Sequence, residues 1–84
     1  MEISDPQDAI RAGWHVRIHR RAAGERDPHA ILCVVRELDL RRAEAAAEAN
    51  FRTSEDQLAE VWKPAFEAEI VLRQMAPGDV QRVL

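Results

Sequence analysis

The chain has 84 residues, 46% of them apolar and 32% charged, and a formal net charge of −3. That length suits one domain with a single modest core, and the composition excludes a disordered chain. No apolar run reaches the ~18 residues of a membrane span, and Glu2 and Asp5 stand where a secretory leader needs positive charge, so a cytoplasmic protein with no membrane partner is expected.

In chain order, Ser4-Asp5-Pro6-Gln7 has the form of a capping box. It predicts a short helix ending near Ala12, with Gly13 as a left-handed stop. Trp14 to Arg20 then alternates with period two. Trp14, Val16 and Ile18 take one phase, and His15, Arg17 and His19 the other. This predicts a strand with its apolar phase inward and its cationic phase in water. Ala22 to Pro28 is loop chemistry. His29 to Leu38 holds Ile31, Val34 and Val35 and is too apolar to alternate, as in a central strand covered on both faces. The two strands are expected to pair as an antiparallel hairpin. A rival reading gives an all-α alternative. Asp27-Pro28 also suits a helix start, and Ile31, Val34, Val35 and Leu38 have helical spacing. The β-branched content and the strand before it decide for the hairpin.

Asp39 to Asn50 reads as a helix, capped by Asp39, rich in alanine and stopped by Asn50. Ser54-Glu55-Asp56-Gln57 has the form of a second capping box. It predicts another helix, with Leu58, Val61 and Trp62 as its stripe and Pro64 as its end. Ala68 to Met75, centred on Ile70-Val71-Leu72, is expected to be a third strand with Glu67 and Glu69 outward. Ala76-Pro77-Gly78 is a turn, and Asp79 to Leu84 a short amphipathic tail. The order β-β-α-α-β assembles into a small two-layer α+β sandwich: a hairpin plus a third strand, packed on one side by two helices. Trp14, Val16 and Ile18 would meet Leu58, Val61, Trp62 and Phe66.

Chemistry-bearing constellations are sparse. His15 and His19 share a strand face, but four residues of strand separate them by roughly 13 Å, too far for one zinc, which needs three or four converging ligands. Cys33 lies among apolar neighbours in Ile31-Leu32-Cys33-Val34-Val35 and reads as a buried hydrophobe. Glu44 and Glu48, one helical turn apart beside Arg41 and Arg42, read as a solvated face with local ion pairs. The hydroxyl side chains are Ser4, Thr53 and Ser54, and Gly13, Gly24 and Gly78 are isolated, so neither a nucleophile set nor a phosphate loop is present. Catalysis, a metal and a cofactor are therefore not expected.

Charge is unevenly spread. Residues 11–29 hold five arginines and all three histidines against Glu25 and Asp27, whereas residues 37–84 hold ten acids against six bases. Two surfaces follow. Arg17, His19, Arg20, Arg21 and Arg26 form a basic hairpin, and Glu44 and Glu48, with Glu55, Asp56 and Glu60, an acidic helical half. The expectation is a small non-enzymatic accessory protein that docks on a macromolecular partner, most simply a protein. An inhibitor or regulator encoded by a phage or mobile element has this form. The alternative is a nucleic-acid binder using the basic hairpin of residues 15–29. An open sheet edge also invites a homodimer.

Overall fold

The computed structural model describes residues 10–23 and 26–84. The chain runs β1 (Arg11–Arg20), β2 (Ile31–Val35), α1 (Leu40–Phe51), β3 (Gln57–Phe66), α2 (Glu67–Leu72) and β4 (Val80–Arg82). The described strands form one antiparallel sheet in the order β3-β1-β2-β4. The fold is a small α+β sandwich, and the all-α alternative is excluded.

β1 and β2 make the expected hairpin, with Trp14 opposite Val35 and Ile18 opposite Ile31. The alternation in β1 sends Val16 and Ile18 to one face, where they meet Cys33 and Val35 from β2 and the alanines of α1. Ala43 and Ala47, one turn apart, are fully buried there; their single methyl groups let the helix axis approach the sheet. Asp39 caps α1 as expected, its side chain accepting from the Arg42 amide at 3.0 Å. Asn50 is not a left-handed stop. It stays helical and donates to the Ala46 carbonyl, and the helix ends at an extended Arg52.

Three expectations are corrected. The proposed N-terminal helix falls largely outside the described residues, but Ala12 and Gly13 belong to β1. Gly13 is needed there because a Cβ would overlap the Val35 carbonyl oxygen. Residues 57–66 are an edge strand instead of a helix. Ser54 and Gln57 do make the side-chain hydrogen bonds of a cap, but they close a tight turn: Ser54 Oγ accepts from the Asp56 amide, and Gln57 Oε1 accepts from the Thr53 amide. Residues 67–72 are a short helix instead of a strand. It begins with Glu67 and Glu69 at its positive end. It stops in a Schellman arrangement around Gln74 at φ 56°, the Gln74 amide bonding Val71 O and the Met75 amide Ile70 O.

The two helices do not pack together on one side as expected but lie on opposite faces of the sheet, because each covers its own apolar cluster. α2 and the turn after it set Ile70 and Met75 on Val34 and Ala65, a second small core on the side that His15 shares. Val34 is buried by this cluster while its neighbours Cys33 and Val35 are buried by α1, which is why the run over β2 is apolar in both phases. The tail is a strand: Val80 pairs with Val35 and Arg82 with Cys33. Gly78, at φ 85°, makes the turn before it, its amide bonding Arg36 O. Among the described residues no helix is long and apolar enough to cross a membrane.

Candidate functional site

The cationic phase of β1 is not its wet side. His15 and His19 are only 7% and 5% exposed, and Arg17 is half-buried. α2 explains His15. Its Nε2 donates to Glu69 Oε1 at 2.8 Å, and Arg73 Nε donates to Glu69 Oε2 at 2.9 Å. Burial works to raise the Glu69 carboxyl, but the hydrogen bonds and charges of Arg73 and His15 outweigh it and hold the group below its usual range. His19 lies four residues along the same face. Its Nδ1 donates to the Arg20 carbonyl at 3.1 Å, while its Nε2 is buried without a hydrogen bond, 3.4 Å from Glu60 Oε1.

Trp62 dominates this region. Along β3 the pairing steps from His15↔Lys63 to Val16↔Val61, so Trp62 is an extra residue with no partner opposite it. Such a bulge bends the strand and re-aims a side chain. The indole is 52% exposed and meets the His15 ring edge-on at 6.0 Å between centroids, with the Lys63 ammonium 4.7 Å from its own centroid. It lines a groove on each side. One, about 270 Å³, is completed by Arg17, Leu32 and Glu60. The other, about 540 Å³, runs between β3 and the first turn of α1. Its lining includes Trp14, Leu40, Arg41, Glu44, Glu60, Lys63 and Pro64. Trp14, expected to be fully inward, is half-buried. Its Nε1 donates to Leu38 O at 2.8 Å, and Arg11 stacks 4.6 Å over its ring. Phe66, expected in the core, is likewise partly exposed.

The residues singled out from sequence fall into three places. Arg17 and Glu44 reach the two grooves that share Trp62. Arg20, Arg21 and Arg26 stand at the hairpin end, about 13 Å along the strands from Trp62 at ~3.3 Å per residue. There Arg20 is tied to Asp27 at 3.3 Å, the Arg21 amide bonds Asp56 O, and Arg26 is exposed. Asp27 organises that loop. Its carboxylate accepts from the Arg20 and His29 amides at 2.7 and 2.9 Å, which, with the Arg20 side chain, lowers its pKa to about 2. Glu48 sits half-buried at the far end of α1, 3.6 Å from Arg52. The outward face of α1 is Arg41, Arg42, Ala45 and Ala49, so Glu44 and Glu48 flank the helix and do not crown it.

Trp62 and Lys63 are surface features that the expected helix ending at Pro64 had hidden. The signal was Pro64, which fits a sheet only where no ladder bond is needed. Cys33 is fully buried, and desolvation pushes its thiol up to about 11. Among the described residues no three His, Cys, Asp or Glu side chains converge as metal ligands. Comparison with protein-family models, with curated proteins and with solved structures returned no match.

Proposed function

We propose that this protein is a non-enzymatic docking module that binds a protein partner through the Trp62 side of β3. One observation carries the reading: a half-exposed tryptophan, set out by a bulge on an edge strand, walls a groove on each side. Tryptophan and arginine are enriched among residues that dominate binding energy at protein interfaces, and here Trp62 has Arg17 beside it in one groove and Arg41 in the other. The strand itself is a poor ladder template at this point. The bulge, Lys63 and Pro64 all blunt an edge, so side chains make the contact, and any strand-to-strand pairing with a second copy is confined to residues 57–61.

The test is selection of short extended peptides from a random display library against the whole chain, followed by titration. The expected result is peptides whose affinity falls at least tenfold with Trp62→Ala and less than twofold with Arg21→Ala. Affinity indifferent to Trp62, or no peptide binding below 1 mM, would refute the reading. A second reading, single-stranded nucleic acid, has one observation in its favour: Trp62 and Arg17 line one groove, an arrangement that suits base stacking beside phosphate. Its signature is oligonucleotide affinity that drops steeply with salt and is lost with Arg17→Ala.

A further inference from the structure

The larger groove beside Trp62, about 540 Å³, is walled by two indoles and a proline. Trp14 stands opposite Pro64 across the β1–β3 ladder, and Leu40 lines the α1 side. Each indole is already matched with a cation of this chain. Arg11 lies 4.6 Å over Trp14, and the Lys63 ammonium 4.7 Å from the centroid of Trp62. A cationic occupant would therefore meet like charge. An anionic one would meet Glu44 and Glu60, which offset Arg41 and Lys63 along the lining. Charge thus favours a neutral, apolar segment. The groove also has one donor to offer it. The Nε1 of Trp14 is engaged by Leu38 O, whereas the half-exposed Trp62 indole has no acceptor for its N–H among the described residues.

How such a segment is held follows from the strand beside it. A peptide added to a sheet edge is gripped by ladder hydrogen bonds. Here the bulge at Trp62 interrupts the ladder, and Pro64 has no N–H to give. The occupant must then bring its own extended order. Resting on the docking reading above, we propose that this groove receives a neutral proline-rich segment of the protein partner in the polyproline II conformation. That helix makes no internal hydrogen bonds, so its carbonyls are free to accept from the Trp62 indole. Its shape is preformed, so little ordering entropy is lost when its rings pack on an aromatic wall.

The experiment titrates the whole isotope-labelled protein with acetyl-Pro-Pro-Leu-Pro-Pro-Leu-Pro-amide. The comparators are the same peptide with both leucines replaced by aspartate or by lysine, the strand former acetyl-Thr-Val-Thr-Val-Thr-Val-Thr-amide, and a neutral helix-forming peptide of alanine, glutamine and leucine. The proline peptide is expected to bind about fivefold or more tighter than every comparator. It should move the Trp62 indole N–H resonance downfield while Trp14 keeps its bond to Leu38 O. Leu40→Ala, which alters this groove and not its smaller neighbour, should lower the affinity by about fivefold or more, and Leu72→Ala on α2 by less than about twofold. A comparator that binds as tightly as the proline peptide, an unmoved Trp62 indole, or affinity indifferent to Leu40→Ala would each overturn the proposal. If library-selected peptides depend on Trp62 while the proline peptide fails to bind, the polyproline occupant falls and the docking surface stands. Selected peptides indifferent to Trp62→Ala remove the surface itself.

Discussion

The hairpin that carries His15, Arg17 and His19 depends on one backbone contact, and Gly13→Ala tests it. A Cβ at Gly13 would overlap the carbonyl oxygen of Val35 and stand 3.0 Å from its carbonyl carbon and 3.1 Å from Arg36 Cα. All three are backbone atoms, so no side chain can swing aside. An ordinary carbon–oxygen contact needs ~3.3 Å or more, and reaching it means separating β1 from β2 next to the Trp14↔Val35 pair. Over-packing of this kind costs about 3 kcal/mol. For a domain of this length that is a fall in Tm of roughly 12–24 °C, at about 4–8 °C per kcal/mol. Gly78→Ala provides the comparison. Its Cβ would have no neighbour within 4 Å, but φ is +85°, so the backbone penalty alone applies, about 1 kcal/mol. Urea unfolding followed by tryptophan fluorescence measures both. A Gly13→Ala protein within 0.5 kcal/mol of wild type, or less destabilised than Gly78→Ala, would refute the close approach of the strands and the pairing built on it.

Other perturbations separate further parts of the molecule. Asp27 has its folded pKa lowered from 3.8 to about 2, so the stability it contributes is present above pH 4 and lost as pH falls toward 2. Asp27→Asn should therefore flatten the dependence of the urea midpoint on pH between 2 and 4, and an unchanged acid limb would contradict the loop brace. With its thiol raised to about 11 and no exposed surface, Cys33 should fail to react with an aromatic disulfide reagent at pH 8 until urea unfolds the chain; fast native reaction would place it elsewhere. Ile70 is 1% exposed whereas Leu72 is 84% exposed two residues later. Ile70→Ala should cost about 2–4 kcal/mol and Leu72→Ala less than ~0.5, both read from urea midpoints, and equal effects would mean that α2 is rotated from the position described.

How much of this was legible follows from how local each signal is. β1 could be read because Trp14, Val16 and Ile18 keep one phase without interruption, and α1 because its alanines and Asp39 act within a single turn or two. α2 was misread because six residues give too short a window: Ile70-Val71-Leu72 has the composition of a strand, and only the Schellman turn at Gln74 and the burial of Ile70 alone among the three make it a helix. The inward burial of His15 was beyond any reading of β1, since the group that accepts its proton is Glu69, 54 residues away and on an element whose type was itself misjudged.

The hardest stretch to read was also the one that builds the candidate site, and for one physical reason. In an unbroken strand Leu58, Glu60 and Trp62 would share a face and Val61 and Lys63 the other. The extra residue at Trp62 resets the phase, so Lys63 and not Trp62 stands opposite His15. After the reset, apolar residues recur at Leu58, Val61, Trp62 and Ala65, spaced by three, four and seven, which is the signature of an amphipathic helix. The same insertion leaves Trp62 without a cross-strand partner and turns its indole toward solvent between two grooves. A sequence pattern that misleads about secondary structure and a large aromatic left uncovered are thus two consequences of one bulge. Pro64 was the residue able to correct the reading, because a proline two positions beyond is tolerated on an outer strand, where its missing N–H is not required.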